Sequence, residues 1–496
     1  MKNNLLILLL LLISPLHLYA DEPRDSVWVN PFNGNRTHLH LLADDDTLVQ
    51  PDHNLLKPAV ETLGINLAVW AWDHYVYDNG WADVDIHVIR HNLKSSFVLD
   101  HDSYSGNQFS HPFHGSMFYN AARYHGHSYY LSALYPLIGS TTWEYFCETN
   151  LPAYNDFLST GIGGTAIGEA THRVSDLIYD NSVTGFPRVL RELSASILNP
   201  IRGFHRIISG DMWHVSPHAG KTVTPEPYTF DFSVGHRHLH ESTGEHGSRD
   251  IAFAQFSLDY GNHFDGKNRH QPFDYFHTNL ILNLSPHNPT IGDLDIRGRL
   301  LSHQFSTSDN TQHDLALYQV YRYIDNYHGA DDKHPGHYPH VNEACSFAVG
   351  LFTLHAPSAT HHIAFTNDVL FDAIAFGGMG ADYFQPRTYN FASGFSLRDA
   401  LTISFGQNFQ LGSDLYITRL YVPKGSPDPQ KYGYTLWGDQ GNNTILLNRS
   451  FMKVHLSHHL RFKAEHLHYS RHSHYRHHPN VHARSDELRY GLTYNL

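Results

Sequence analysis

The last nine residues of the chain alternate between apolar and polar side chains without a break. Leu488, Tyr490, Leu492, Tyr494 and Leu496 hold every second position. A β-strand that faces lipid must be apolar on alternate residues, because its other face looks into a polar lumen. The pattern therefore predicts the closing strand of an outer-membrane β-barrel. The alternative is an amphipathic strand on the core of a soluble protein, and the rest of the chain has to decide between the two.

The same period of two recurs in about twelve segments between Tyr228 and the carboxyl terminus. The connections alternate as well, since 327–340 and 375–388 are long and polar whereas 356–360 and 410–413 are short. Bacterial barrels have an even number of strands, short periplasmic turns and longer extracellular loops. We therefore expect a barrel with both of its ends on the periplasmic side.

The amino terminus has the features of a secretory signal peptide. Lys2 precedes an apolar run from Leu5 to Ile13, and Ala20 presents a small residue for cleavage. The run is too short to span a bilayer, and no later segment has about twenty consecutive apolar residues. We expect residues 1–20 to be removed and the mature protein to lie in the outer membrane of a Gram-negative bacterium. Its expected partners are outer-membrane lipid and the barrel-assembly machinery.

Charge and composition exclude some classes of function. The formal charge of −14 argues against nucleic acid as a partner, because phosphate binding requires a basic surface. Cys147 and Cys345 lie in different halves of the chain, and an oxidising periplasm permits but does not require a disulfide, so we expect none. The 43 histidines include a dense group between His455 and His482. A metal chelate there is one reading, but no carboxylate or thiolate spacing accompanies it, so we predict no metal site and no cofactor.

The period of the apolar pattern changes near Pro225, and this change predicts a domain boundary. Residues 21–225 have a helical pattern and residues 226–496 have a strand pattern. The predicted fold class is α+β, with an N-terminal helical domain followed by an antiparallel outer-membrane β-barrel of about 12 strands. The helical domain is expected on the periplasmic side, where it plugs or caps the barrel.

Polar residues stand out against apolar segments in the helical half. Pro112 begins a helix that carries His114 along one face, and Glu144 closes a second, apolar helix where a carboxylate needs a partner. Asp156 opens the next helix, where a capping role competes with a functional one. The spacing of Glu169, Arg173 and Asp176 brings these three together on one helical face. Glycines 161, 164 and 168 recur at helical spacing, which lets another helix approach closely.

These motifs resemble a bacterial family of unknown function from Gram-negative envelopes, the domain-of-unknown-function family numbered 3943. The resemblance covers the helical half densely and rests on Asn107-Gln108-Phe109, on His111-Pro112-Phe113-His114-Gly115-Ser116, on Asn120 and Arg123, on Trp143-Glu144-Tyr145-Phe146 with Glu148, and on Asp156, Gly163-Gly164, Gly168-Glu169, Arg173, Asp176, Gly185-Phe186, Arg188, Asn199-Pro200, Arg202 and Gly203. Cys147 departs from the glycine that the family carries there. The family has no assigned activity, so the resemblance implies a fold and a location only.

A weaker resemblance is to VanZ-type membrane proteins, in which a helix with His, a helix that ends with Glu and an Asp before a glycine-rich helix follow in that order. It implies that His114, Glu144 and Asp156 are catalytic residues for acid/base chemistry on a polar head group. The alternative is a buried polar network that locks three helices together. The candidate binding residues are His111, Asn120, Arg123, Glu148, Glu169, Arg173 and Asp176.

Three classes of function remain open on the sequence. In the first, the helical domain plugs or caps the periplasmic mouth of the barrel, and the protein binds or passes an unidentified small molecule of the envelope. In the second, His114, Glu144 and Asp156 form the active site of an outer-membrane enzyme that acts on a lipid or glycan head group. The third is a structural or assembly protein.

Overall fold

The chain forms a helical region followed by a closed β-barrel, which confirms the predicted fold class. The computed structural model describes residues 27–29, 36–38, 53–215, 227–243, 247–264, 271–286, 288–326, 337–356, 363–428 and 435–496. The predicted signal peptide, and most of the segment before the barrel that contains Pro225, lie outside the described residues. Two short strands, β1 (Val27–Val29) and β2 (Arg36–His38), pair with each other near the amino terminus.

The barrel consists of twelve antiparallel strands, the number expected from the sequence. They are β3 (Tyr228–Glu241), β4 (Ser248–Tyr260), β5 (Phe276–Asn283), β6 (Ile291–Ser308), β7 (Thr311–Asp325), β8 (His340–His355), β9 (Ile363–Gly380), β10 (Tyr389–Phe405), β11 (Phe409–Val422), β12 (Gly441–His455), β13 (Leu460–Tyr475) and β14 (Val481–Asn495). Each strand pairs with the next one along the chain, and β14 closes the barrel on β3. Closure leaves no open sheet edge, which a lipid environment requires.

The carboxyl-terminal strand turns its apolar residues outward and its polar residues inward. Leu488, Tyr490 and Leu492 are 49%, 44% and 45% exposed, whereas Glu487 and Arg489 between them are 1% and 3% exposed. A soluble sandwich shows the opposite arrangement, with apolar residues inside. The alternation at the end of the sequence therefore belongs to a barrel of the outer-membrane type.

The helical region has nine α-helices. They are α1 (Leu56–Tyr75), α2 (Ile86–Asn92), α3 (His111–Tyr124), α4 (Tyr129–Ser132), α5 (Leu134–Phe146), α6 (Tyr154–Leu158), α7 (Gly164–Ile178), α8 (Gly185–Leu198) and α9 (Pro200–Ser209) in the part of the chain described. Local sequence explains the bounds of α9. Asn199 accepts a hydrogen bond from the Arg202 N–H, Pro200 fills the first helical position, and Gly210 ends the helix with φ of +84°.

Close packing of helices depends on glycines, as their spacing predicts. A Cβ atom on Gly115 of α3 would overlap the carbonyl oxygen of Thr160, and one on Gly164 would lie 2.7 Å from the Gly115 Cα. A Cβ on Gly168 would enter the ring of Tyr119. These glycines therefore allow the backbone of α3 to approach α7 and the segment before it.

The chain divides into two compact units, which we describe separately. One contains the barrel and comprises Met1–Leu41, Thr224–Pro427 and Gly438–Leu496, and the other comprises Leu42–Val223 with Asp428–Trp437. Cys147 and Cys345 are both buried and are not joined by a disulfide. Among the described helices, none combines the length and the apolar character that a membrane span requires.

Candidate functional site

Acidic side chains gather in the interior of the helical unit. We call this group the acidic centre, and it consists of Asp100, Asp102, Glu144, Glu148 and Asp156 together with His111. One ligand atom from each of His111, Glu144 and Asp156 lies within 4.8 Å of the other two. Glu144 and Asp156 are buried, and His111 and the exposed Asp102 connect the centre with the surface.

Backbone pairing places the carboxylates of the centre. Val98 and Ala153 form an isolated parallel bridge, with Val98 N–H donating to the Pro152 carbonyl at 2.8 Å and Tyr154 N–H donating to the Val98 carbonyl at 3.0 Å. This bridge holds Asp100 beside the first turn of α6, which carries Asp156. Two loops distant in sequence therefore supply neighbouring acidic groups.

Amide side chains fix the carboxylate oxygens in place. Asn107 and Asn155 both donate to Asp100 Oδ1, at 2.6 and 2.8 Å, and Asn155 also lies 2.8 Å from Asp156 Oδ1. The Ala153 N–H donates to Glu144 Oε2 at 2.7 Å. The centre is preorganised, because hydrogen bonds from its surroundings determine the orientation of three of its carboxylates.

Two π-helical turns border the acidic centre. Gly106–Ser110 leads directly into His111, and Ser159–Gly163 follows α6 and its Asp156. A π-helical turn is rare and costs hydrogen-bond geometry, so proteins use it mostly at functional sites. Both turns bulge next to a member of the trio His111, Glu144 and Asp156, which supports a functional reading of this trio.

Burial and the proximity of several carboxyl groups disfavour negative charge in the acidic centre. Burial raises the pKa of Glu144 to about 8, although the hydrogen bond from Ala153 opposes this rise. Burial and the charge of Glu144 raise the pKa of Glu148 well above its usual range. Burial and the charge of Asp100 do the same to the pKa of Asp156. Burial also lowers the pKa of His111, which the charge of Asp100 opposes.

One oxygen of the centre has no donor. Glu144 is fully buried, and its Oε1 makes no hydrogen bond. The carboxyl group of Glu148 lies close enough to bond to Glu144, but only when one of the two carries a proton. Within the described residues, Glu144, Glu148 and Asp156 form no ion pair with arginine or lysine. A proton or a cation has to compensate these buried groups.

His114, one of the three residues predicted to be catalytic, lies outside the trio. Its ring packs against Phe118 and Trp143, with ring centroids 4.5 and 5.1 Å away, and its Nε2 has no hydrogen bond. Burial lowers the pKa of His114 to about 3, and His111 adds to the effect. The histidine that the structure brings to Glu144 and Asp156 is His111, with Nε2 at 3.6 Å from Asp156 Oδ1.

A second trio, Glu61 with His125 and His205, also has its ligand atoms within 4.8 Å. Here the two carboxylate oxygens of Glu61 lie 2.7 and 3.1 Å from the Nε2 atoms of the histidines. The ring of Tyr124 stacks on His205 with a centroid separation of 3.7 Å. The two histidines satisfy both carboxylate oxygens of Glu61, so the second trio needs no metal ion.

Five of the predicted binding residues have partners within the protein and form no open site. Glu169 is fully buried and accepts hydrogen bonds from Arg123 at 2.8 Å, from Arg173 at 2.8 Å and from Tyr119 at 2.7 Å. Asn120 bonds to the Ser116 carbonyl and accepts from Asn199, while Asp176 pairs with Arg202 on the same unit. Of the predicted binding residues, His111 and Glu148 are the two in the acidic centre.

Sequence reasoning missed the contribution of Asp100 and Asp102. A pattern that could have indicated them is present in the sequence, because two aspartates separated by one residue follow an apolar segment. Two glutamates, Glu144 and Glu148, are likewise spaced four residues apart. The trio of Glu61 was missed as well. In the histidine-rich end of the chain, where we predicted no metal site, His466 and His468 lie 3.3 and 2.8 Å from Asp486.

The barrel lumen is lined by ion pairs. Arg237 binds Glu487 through both oxygens, at 2.7 and 2.8 Å, and Arg398 lies 2.7 Å from Asp295 and 2.6 Å from Asp414. These bonds connect strands across the lumen, since Arg398 belongs to β10 and Asp295 to β6. Asp295, Arg398 and Asp414 also line a cavity of about 210 Å³.

Comparison with known proteins gives one family match. Residues 96–201 match the family model of a domain of unknown function, DUF3943. The matched segment contains the acidic centre and the network of Glu169. No curated protein matches the chain. The resemblance to VanZ-type proteins has no counterpart among these matches.

Solved structures of bacterial barrels are similar to the barrel half. The NanC porin is 9% identical, with a TM-score of 0.28, and the match covers 53% of this chain and 100% of that one. The KdgM porin in complex with disordered oligogalacturonate is 9% identical, with a TM-score of 0.23 and coverages of 53% and 98%. The translocator domain of autotransporter NalP from Neisseria meningitidis is 11% identical, with a TM-score of 0.22 and coverages of 53% and 88%. Likenesses at this level carry no argument about what this chain binds.

Proposed function

We propose that the protein is an outer-membrane protein whose helical domain binds a divalent cation through His111, Glu144 and Asp156. The observation that carries the proposal is the buried carboxylate of Glu144, which has one oxygen without a hydrogen bond and offers a ligand atom within 4.8 Å of one from His111 and one from Asp156. A divalent cation compensates the buried carboxylates and takes up this oxygen as a ligand. The second trio lacks such an oxygen, since its histidines occupy both oxygens of Glu61.

The ligand set favours a hard or borderline cation. Two carboxylates and one imidazole are rich in oxygen and contain no thiolate, a combination that suits Mn²⁺ better than a soft metal. Asp100 and Glu148 lie beside the ligands and add two carboxyl groups to the surroundings of the ion. We therefore take Mn²⁺ as the probe for this site.

The reaction class proposed is metal-assisted hydrolysis of a polar head group of an envelope lipid or glycan. A bound cation lowers the pKa of its water and stabilises the charge that develops on the attacked group. We assign the role of general base to Glu148, because its carboxyl lies beside Glu144 and belongs to no ion pair with arginine or lysine in the described part of the chain. The barrel, with its apolar outer face, would keep the domain at a membrane that supplies such substrates.

Titration of Mn²⁺ into the full-length protein, stripped of metal by chelation and followed by electron paramagnetic resonance, tests the site. We expect one bound ion in the wild type and at least about tenfold weaker binding in Glu144→Gln and Asp156→Asn. Glu61→Gln is the matched control, because it removes a carboxylate from the other trio. Binding that survives in Glu144→Gln, or that is lost only in Glu61→Gln, would refute the assignment.

Hydrolysis is tested separately, by mass spectrometry of an outer-membrane lipid extract incubated with the protein and Mn²⁺. We expect a product whose formation requires both Mn²⁺ and Glu148, and Glu148→Gln should bind Mn²⁺ but form no product. A product that appears equally without Mn²⁺ contradicts the metal-assisted reaction and leaves an acid/base reaction at the same carboxylates.

A second proposal concerns the barrel. The lumen is polar and contains a cavity, which supports passage or binding of a small envelope molecule, with the helical domain as a plug or cap at the periplasmic mouth. Strands β3 to β14 close the barrel by themselves, so residues 21–225 can be deleted without removing a strand of the barrel. We expect deletion of residues 21–225 to raise the single-channel conductance in planar bilayers, whereas an unchanged conductance argues against a plug.

A further inference from the structure

The cavity in the barrel lumen has a cationic lining. Seven arginine and lysine side chains line it against four carboxylates, although the chain as a whole has a formal charge of −14. The sign of the charge in the cavity is therefore opposite to that of the protein. Folding has placed cationic side chains on the cavity wall, and carboxylates behind the wall, such as Glu487 beside Arg489 and Asp368 beside Arg297, compensate part of their charge.

Two lysines face each other in this cavity. Lys453 and Lys463 are direct partners in the antiparallel ladder between β12 and β13, and both line the cavity. Like charges directly opposite each other destabilise a sheet. Glu465 compensates Lys463 at 2.9 Å. For Lys453 the described residues offer no ion pair, and its Nζ lies 5.5 Å from the centre of the Phe451 ring.

Two arginines that line the same cavity each have an unused donor. The Nη1 of Arg489 and the Nε of Arg449 are buried and have no hydrogen-bond partner. Arg489 is 3% exposed and its orientation is fixed by the carboxylate of Glu487. A buried donor left without an acceptor costs about 1–3 kcal/mol, and more when the group is charged. The same wall of the barrel therefore combines a lysine that has no ion pair among the described residues with unused guanidinium N–H groups.

We propose that this cavity binds an oxyanion, the phosphate or carboxylate group of a small solute, through Lys453, Lys463, Arg449 and Arg489. Charge-assisted hydrogen bonds to such a group would satisfy the unused donors, and its negative charge would offset the repulsion between the two lysines. The cavity, about 210 Å³, is smaller than the roughly 300–1,000 Å³ of pockets for drug-sized ligands. The occupant is therefore a small anion or the anionic end of a larger solute. The site belongs to the barrel and does not depend on metal binding at the acidic centre.

The test is the thermal unfolding midpoint of the full-length protein in detergent micelles. Inorganic phosphate and acetate are compared with sodium chloride at equal ionic strength, so that general screening cancels. We expect phosphate or acetate to raise the midpoint of the wild type, as any ligand of the native state does. The stronger of the two anions identifies the oxyanion class.

The proposal predicts the direction in which the lysine variants change the unfolding midpoint and the anion affinity. In chloride, Lys453→Gln should raise the midpoint, because it relieves the repulsion between the two cations, whereas Lys463→Gln also leaves Glu465 without its partner at 2.9 Å. The same variants should lose at least about tenfold in apparent anion affinity, since a hydrogen bond to a charged group contributes about 1.5–3 kcal/mol. Lys453→Arg retains the charge and should retain the anion response.

Lys424→Gln is the matched control, because Lys424 is exposed and does not line the cavity. Heat-modifiable gel mobility verifies that each variant is folded. An anion response that is absent from the wild type, or equal in wild type and Lys453→Gln, overturns the proposal. A lower midpoint of Lys453→Gln in chloride also overturns it, because this lysine would then stabilise the barrel.

Discussion

The imidazole Nε2 of His111 lies 3.6 Å from Asp156 Oδ1, although the two residues belong to different helices. His111 is the first residue of α3, and Asp156 is in the first turn of α6. Asp156 therefore lies at a helix N-terminus, where the partial positive charge of the helix favours a negative group, whereas His111 directly continues the π-helical turn Gly106–Ser110. This contact joins the two segments that carry the acidic centre.

Replacing the carboxylate of Glu144 by an amide should stabilise the metal-free helical domain. Glu144→Gln removes a buried group that has an oxygen without a donor, and the amide offers an N–H for neighbouring carboxylates, so we expect a gain of about 1–2 kcal/mol. Hydrogen exchange of peptides from α5 and α6 in the presence of a chelator measures this gain. A loss of protection in Glu144→Gln would show that the charged carboxylate stabilises the fold.

Gly115→Ala should disturb the packing of α3. Its Cβ would overlap the Thr160 carbonyl oxygen, and backbone moves less easily than a side chain, so we expect destabilisation by about 1–3 kcal/mol. Gly64→Ala in α1 is the matched control, because nothing lies within 4 Å of its added Cβ, and alanine favours a helix over glycine by about 1 kcal/mol. Protection of α3 amides against exchange should fall in the first variant and not in the second.

His114 should make the helical domain sensitive to acid. Burial lowers the pKa of His114 from 6.5 to about 3, so the folded state binds this proton more weakly than the unfolded state. The stability contribution of the neutral ring is fully present above pH 6.5 and is lost as the pH falls toward 3, with a loss of about 2 kcal/mol by pH 5.

The difference between wild type and His114→Phe isolates this effect, because other titrating groups are common to both proteins. Phenylalanine suits a site beside Phe118 and Trp143. The advantage of His114→Phe in exchange protection of α3 should grow from pH 7 to pH 5. A difference that does not depend on pH excludes His114 as the titrating group.

Glu169→Gln should be one of the most damaging single changes in the helical unit. Glu169 is fully buried and compensates both Arg123 and Arg173, so its loss leaves two partly buried cations without a counter-charge. Breaking a buried ion pair costs about 3–5 kcal/mol. Local exchange in α7 reports the loss, and variants that remain folded should still bind Mn²⁺, since Glu169 is outside the acidic centre.

Leu488→Arg tests the orientation of β14. Leu488 lies on the outer face of the barrel, where arginine costs about 2–4 kcal/mol at the bilayer midplane. We expect a lower folded fraction in lipid vesicles, measured by heat-modifiable gel mobility. Leu488→Ala shortens the side chain without adding charge and serves as the control. Equal folding of the two variants would place this residue away from lipid.

The candidate site was accessible to sequence reasoning in part. Glu144 and Asp156 stand out, because a carboxylate in an apolar segment needs a partner wherever the segment packs. Which of the two histidines, His111 or His114, contacts Asp156 could not be predicted from the sequence. Both lie near the start of one helix, three residues apart, and which of them meets Asp156 depends on how α3 crosses its neighbours at Gly115 and Gly164.

Sequence by itself determined the barrel. The bilayer imposes alternation of apolar and polar residues on every strand, and each strand shows it independently. The segment from Leu488 to Leu496 and the alternating segments before it therefore predict the barrel without knowledge of the tertiary structure. Tertiary structure alone decided which polar residues meet. The facing of Lys453 and Lys463 depends on the register of two strands, and the acidic centre depends on the bridge between Val98 and Ala153. Neither contact leaves a local signal, because the partners come together through backbone geometry and not through the pattern around either residue.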